Sequence, residues 1–201
     1  QARVWMGFPP PGETAGHSAT ALDEARRAWA AVAHAIADFQ AVSVLVDPAD
    51  EAIAPAYLGA HIQRHICPLD DAWLRDIGPS FVLGDDGRLG AVDWRFNGWG
   101  AREWARWAHD DRVAAFVADA AGATRIASTL VNEGGGIAVD GAGTVLLTDS
   151  VQRDARRNPS ISRAAVEQEM ARTLGAAHPI WLARGLYRDA QRYGTFGHVD
   201  L

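Results

Sequence analysis

FVLGDDGRLGAVDW, Phe81–Trp94, and GGIAVDGAGTVLLTD, Gly135–Asp149, are two versions of one pattern. Each has an apolar run, an Asp-Gly turn and a second apolar run, which predicts a β-hairpin. A helix is predicted after the first, from about Trp104 to Ala121, with Trp107, Val113, Phe116 and Val117 inward. After the second, Asn158-Pro159-Ser160 opens a helix with Val166, Met170 and Leu174 on one stripe, and PIWLA (Pro179–Ala183) reads as a strand. Upstream, Leu22, Ala25, Trp29, Val32, Ile36 and Phe39 recur three and four apart, the spacing of an amphipathic helix, with Ser18 or Thr20 as its cap. AVSVLVDP (Ala41–Pro48) then reads as a buried strand, and HIQRHICPLDD alternates partly before a loop. Similar hairpin–helix–strand units, each too small to bury its own core, are expected to stack on one another. The hairpins distinguish this α/β layout from the alternation of a doubly wound sheet.

The 201 residues are 48% apolar and carry a net charge of −6. That supports a substantial core over a single domain, 1–201, and argues against nucleic acid, whose phosphates require Lys and Arg. Cys67 is the single cysteine, so no internal disulfide forms, which fits a reducing compartment, and a cytoplasmic protein is expected. No apolar run approaches a membrane span. The chain starts at Gln1 and stops on GTFGHVDL (Gly194–Leu201), apolar and glycine-rich, so both ends read as cut.

Three stretches could carry chemistry. DDAWLRDIGP (Asp70–Pro79) crowds three Asp, an Arg and a Trp ahead of a Gly-Pro break, which puts Arg75-Asp76 at a strand end or in a loop. Asp76 there could grip a cation and Trp73 stack on a planar one. It also reads as a solvated acidic turn with Trp73 plugging the core. VNEGGGIAVDG (Val131–Gly141) sets Glu133 before glycines that permit close backbone approach, or it is simply a turn before the hairpin. In GHVD (Gly197–Asp200), a strand would stand His198 and Asp200 side by side, and the carboxylate would favour a charged imidazole. His61-x-x-x-His65 with Cys67 has a zinc-like spacing. Its strand-like surroundings and the lack of a second Cys/His cluster leave no metal site expected.

Asp76, Glu133, His198 and Asp200 thus form a set suited to a planar, forked guanidinium group. Chemistry at its central carbon needs a strong nucleophile such as a thiolate, with a His to protonate departing ammonia and then activate water.

VWMGFPP (Val4–Pro10), DDAWLRDIGPSFV (Asp70–Val82), AVDWRFNGWG (Ala91–Gly100), NEGGGIAVDGAGTVLLT (Asn132–Thr148), RNPSIS (Arg157–Ser162) and IWLARGL…GTFGHVD (Ile180–Asp200) together resemble the agmatine deiminases, within the guanidine-modifying enzymes that include bacterial peptidylarginine deiminases. The resemblance implies a five-bladed α/β propeller of ββαβ-type modules around an acidic pocket, of which this chain covers about three. It implies that Asp76 and Asp200 hold the guanidinium, that His198 is the acid–base, that Glu133 orients the His or substrate, and that Trp73 lines the pocket. It implies no metal and no organic cofactor. The expected partners are a small guanidinium substrate, agmatine, and in a homodimer a second copy of the chain; nucleic acid and membrane are not expected.

The family's nucleophilic cysteine, in a Gly-rich C-terminal stretch, is not in the sequence, and Cys67 does not sit in that motif. Asp189 and His198 are also further apart than in the commoner pattern, and Ala138 stands where relatives carry a polar or aromatic residue. The expectation is therefore the N-terminal portion of a hydrolase, inactive alone. Bacterial peptidylarginine- or arginine-deiminase activity is the alternative. So is a non-catalytic protein with an acidic pocket, if the chain truly ends at Leu201.

Overall fold

The computed structural model describes residues 2–200, which form two compact units, each α/β. The first comprises the residues up to Leu74 together with Arg106–Asp110. Strands β1 (Arg3–Gly7), β2 (Ala41–Val46) and β3 (Gln63–Ile66) form a parallel sheet in the order β1-β2-β3, with helix α1 (Ala19–Ala37) crossing between the first two. As the central strand, β2 is buried from Val42 onward, as its β-branched run predicts.

Ser18 caps α1, its side chain accepting the Ala21 N–H. The face that α1 buries is turned from the predicted stripe: Leu22, Ala25, Trp29 and Ile36 are half-buried, with Ile36 against the core. Val32 is 52% exposed and Phe39 88%, whereas Arg26, Ala30 and Ala33 are buried. Small Ala side chains let the helix approach the sheet, and Arg26 is drawn inside by Asp50, 2.7 Å away, and by the Pro9 carbonyl. An apolar count along the helix cannot anticipate a buried ion pair. In the same unit, Asp110 is fully buried and accepts the N–H groups of Asp70 (2.8 Å) and Asp71 (3.3 Å).

The second unit holds the rest of the chain. After α2 (Leu74–Ile77), strands β4 (Ser80–Leu83) and β5 (Leu89–Arg95) form the first predicted hairpin. Helices α3 (Gly98–Ala101) and α4 (Val113–Ala120) lead to β6 (Thr124–Val131), which joins β5 in parallel. The plan then repeats. Strands β7 (Ile137–Val139) and β8 (Thr144–Thr148) form the second hairpin, and α5 (Asp149–Gln152) and α6 (Arg163–Leu174) lead to β9 (His178–Leu182), parallel to β8. Asp140 closes the second turn by accepting the N–H groups of Ala142 and Thr144, while Gly141 takes φ 74°. Val92, Trp94, Leu130, Ile137, Val145, Leu147, Val166 and Met170 make one core shared by both sheets.

Two helix starts move. The helix predicted from Trp104 begins only at Val113, because Trp104 stacks on Trp99 (ring centres 5.3 Å apart) and donates to the Arg192 carbonyl. The Asp111 carboxylate also holds the Phe96 N–H at 2.7 Å. Likewise α6 starts after Ser162, its side-chain cap, because Asn158 spends its side chain on Val131 and on the Gln152 carbonyl. Among the described residues no helix is long and apolar enough to cross a membrane.

Candidate active site

Asp76 sits in α2, which the Gly78-Pro79 pair ends. The Trp99 indole N–H donates to its Oδ2 at 2.9 Å and the Gly135 N–H to its Oδ1 at 3.1 Å. Trp99 reaches it from a left-handed backbone, φ 57°, between glycines at φ 67° and 83°. A tryptophan persists in that region only where its surroundings hold it. Here Phe96 packs edge-on against the ring and Trp104 stacks on it. Burial pushes the Asp76 carboxyl above its usual range and Glu133 adds to the rise; His198, Trp99 and the Gly135 N–H oppose it.

Glu133 follows β6 at the head of the glycine turn and is fully buried. Its carboxylate takes the Arg157 Nε at 2.9 and 3.1 Å, in an ion pair whose side chains are both 0% exposed. Burial alone would raise its pKa, but the Arg157 and His198 charges and hydrogen bonds outweigh it, and the net shift is downward. Arg157 also donates through Nη2 to the Thr195 carbonyl at 2.9 Å. One buried cation thereby ties Glu133 to the loop that carries His198.

His198 stands among three carboxylates. Its Nε2 lies 3.3 Å from Glu133 Oε2, and its Nδ1 lies 3.8 Å from both Asp76 Oδ1 and Asp200 Oδ1. Burial works to lower its pKa, yet Glu133, Asp76 and Asp200 together raise it. The buried imidazole therefore sits in an acidic nest that favours its protonated form. GHVD forms no strand; these residues lie in a loop. Asp189 organises it instead, accepting the N–H groups of Thr195, Gly197 and His198 and the Thr195 hydroxyl. Val199 N–H bonds the Gly135 carbonyl. Such side chain-to-backbone bonds offer a segment an alternative to a ladder. His198 and Asp200 still face one another, through the loop rather than through strand alternation. Asp200 is also paired with Arg75, Nε to Oδ2 at 3.1 Å.

Gly135 leaves no room for a side chain as the site stands. A Cβ on it would collide with the His198 ring and sit 2.7 Å from Asp76 Oδ1. The expected set Asp76, Glu133, His198 and Asp200 therefore comes together within the second unit. Trp73 belongs to the first unit, where it is 40% exposed and packs edge-on against Trp29 at 5.3 Å. Sequence reasoning missed Arg157 and Trp99 as members and saw Asp189 only as a spacing landmark. Arg157 and Trp99 lie in the stretches RNPSIS and NGWG, and the sequence hint for Trp99 was a bulky residue set between two glycines.

Cys67 is buried in the first unit, its thiol pushed up to about 11 by burial and by the charges of Asp110 and Asp47. A thiol so protonated is a poor nucleophile at neutral pH. His65 turns to the Ser43 hydroxyl (3.1 Å) and packs on Trp5. Among the described residues no group of three or more His, Cys, Asp or Glu is arranged to hold a metal ion.

The profile of the Porphyromonas-type peptidyl-arginine deiminases matches residues 1–201. A Streptomyces avermitilis protein provisionally named an agmatine deiminase is 52% identical over 201 residues, covering 99% of this chain and 58% of its own length. The agmatine deiminase of Ectopseudomonas mendocina is 38% identical, covering 96% of this chain and 56% of its own. Among solved structures, the agmatine deiminase of Enterococcus faecalis superposes with a TM-score of 0.90 at 33% identity, over 100% of this chain and 54% of that one. The chain thus spans a little over half the length of the relatives it matches.

Proposed function

Because this chain belongs to the Porphyromonas-type peptidyl-arginine deiminase family, we propose that its acidic nest serves the hydrolytic deimination of a guanidinium group. The observation that carries the reading is His198, buried, with carboxylate oxygens that favour its protonated form 3.3 to 3.8 Å from its two ring nitrogens. Asp76 and Asp200 take the N–H groups of the substrate, replacing the pairing that Arg75 makes with Asp200. Glu133, fixed by Arg157, orients His198 and keeps it charged.

The nucleophile is a cysteine outside these 201 residues. Its thiolate adds to the guanidinium carbon, the C–N bond breaks, and the His198 proton leaves with ammonia. The neutral imidazole then takes a proton from water, whose oxygen displaces the thiolate from the thiouronium and leaves a urea group. The favoured substrate is agmatine, giving N-carbamoylputrescine, since the relatives bear that name. The two units are parts of one catalytic domain, and the three sheets are three modules of a five-bladed propeller. The reaction uses no cofactor and runs in the cytoplasm, and the 201-residue chain alone is inactive. A chain that truly ended at Leu201 would leave module faces and strand edges unpaired, and would dimerise or be poorly soluble.

The test is a ureido-product assay on a protein of the relatives' full length, given agmatine, free arginine and peptidyl-arginine in parallel. Product from agmatine alone supports the assignment. Product from peptidyl-arginine moves the substrate, and product from none of the three removes the activity.

A further inference from the structure

The HxxxH spacing does not bring His61 and His65 together, but His61 meets another imidazole in the first unit. His34, in the last turn of α1, puts its Nδ1 3.3 Å from His61 Nε2, with ring centres 5.2 Å apart. The other His34 nitrogen, Nε2, lies 2.9 Å from the Tyr57 carbonyl. A carbonyl only accepts, so Nε2 carries the hydrogen and the neutral ring is left with its Nδ1 lone pair facing His61. An N–H to a backbone carbonyl is the partner that commonly fixes the tautomer of a metal-ligating histidine.

The spacing supports the same reading. Two imidazole nitrogens each about 2.0–2.1 Å from one tetrahedral ion lie about 3.3–3.4 Å apart, with ring centres about 5.2 Å apart. A straight N–H···N hydrogen bond at the observed nitrogen separation would put the centres about 5.6 Å apart. The observed ring-centre separation, 5.2 Å, matches the value for a shared ion. Gly59 makes the arrangement possible, since a Cβ there would lie 2.7 Å from His61 Cε1 and 3.3 Å from His34 Cε1. His61 is exposed and His34 half-buried, so the pair is open to solvent on one side.

We propose that His34 and His61 form a two-histidine site for a late first-row divalent cation, Zn2+ in the first instance. Copper(II) binds more tightly, as it does at most nitrogen sites. With no third His, Cys, Asp or Glu grouped there among the described residues, water fills the remaining positions. The ion is exchangeable, and the site is independent of the acidic nest and of any deiminase activity.

The experiment is calorimetric titration of the 201-residue chain with ZnCl2 in a non-coordinating buffer. The Cε1–H resonances of its seven histidines are followed by NMR in parallel. One equivalent is expected to bind, moving the His34 and His61 resonances together. H34Q and H61Q each weaken binding by about tenfold or more, while H65Q does not. Because His61 is exposed, H61Q folds and tests the site even if H34Q does not. No zinc binding by the parent chain, or equal binding by the H61Q variant, overturns the proposal.

Discussion

Replacing Arg157 by Met would strand Glu133. Both side chains are 0% exposed, and the Arg157 Nε lies within 3.1 Å of both Glu133 oxygens. Removing one partner of a buried pair costs about 3–5 kcal/mol, because the remaining charge is left uncompensated. His198 still faces Glu133 at 3.3 Å, which sets the expectation at the lower end, about 3 kcal/mol. With a urea slope of about 2 kcal/mol per M, the midpoint falls by about 1.5 M at pH 7. Glu133 has a folded pKa below its unfolded value of about 4.3. Its stabilisation is thus present above the unfolded pKa and lost as pH falls through the folded one. In R157M the cation that holds it down is gone, its pKa rises, and protonation relieves the variant first. The gap from wild type is therefore full at pH 7 and narrows as pH falls through the carboxyl range. Adding Glu133→Gln removes the stranded charge and restores part of the loss. The readout is urea unfolding of the three chains followed by fluorescence at pH 7 and pH 4. A loss below about 0.5 kcal/mol at pH 7, or a gap independent of pH, would refute the reasoning.

The other expectations concern neighbouring contacts. Gly135→Ala has no room beside His198 and Asp76; overpacking of this kind costs about 1–3 kcal/mol and should shift the His198 NMR resonances, whereas unchanged spectra would contradict the geometry. Trp99→Phe removes the donor to Asp76, so the Asp76 carboxyl should titrate still higher by carbon NMR; a lower value would show that the indole does not act on it. Glu133→Gln should lower the His198 pKa. The raised His198 pKa contributes stability below its unfolded value of about 6.5 that is lost as pH rises through the folded value, and this dependence should shrink in the variant. Asp110, pushed up to about 8 by burial with Asp70 and Asp71 adding, contributes stability that is full below about pH 3.9 and lost as pH rises to about 8. Asp110→Asn keeps an acceptor for the Asp70 and Asp71 N–H groups, and its melting temperature should fall less over that interval than that of wild type.

Features closed within a few residues were legible in the chain itself. The Asp140-Gly141 turn needs only one carboxylate and two nearby N–H groups, and Ser18 caps α1 by bonding three residues ahead. The hairpins, the buried β2 and the identity of Asp76, Glu133, His198 and Asp200 as candidates followed from such local chemistry and from the family likeness of the motifs. What long-range partners choose was not legible. The buried face of α1 turned on Asp50 drawing Arg26 inward, and the late start of α4 on Trp104 stacking with Trp99. The site itself rests on pairings across large sequence gaps: 24 residues from Glu133 to Arg157, 65 from Glu133 to His198 and 125 from Arg75 to Asp200. Turn chemistry and periodicity describe a residue's immediate neighbours. Burial and charge pairing depend on what the fold carries to it from elsewhere, so the rise of the imidazole's pKa needed Asp76 and Glu133, brought from far along the chain, beside the nearby Asp200.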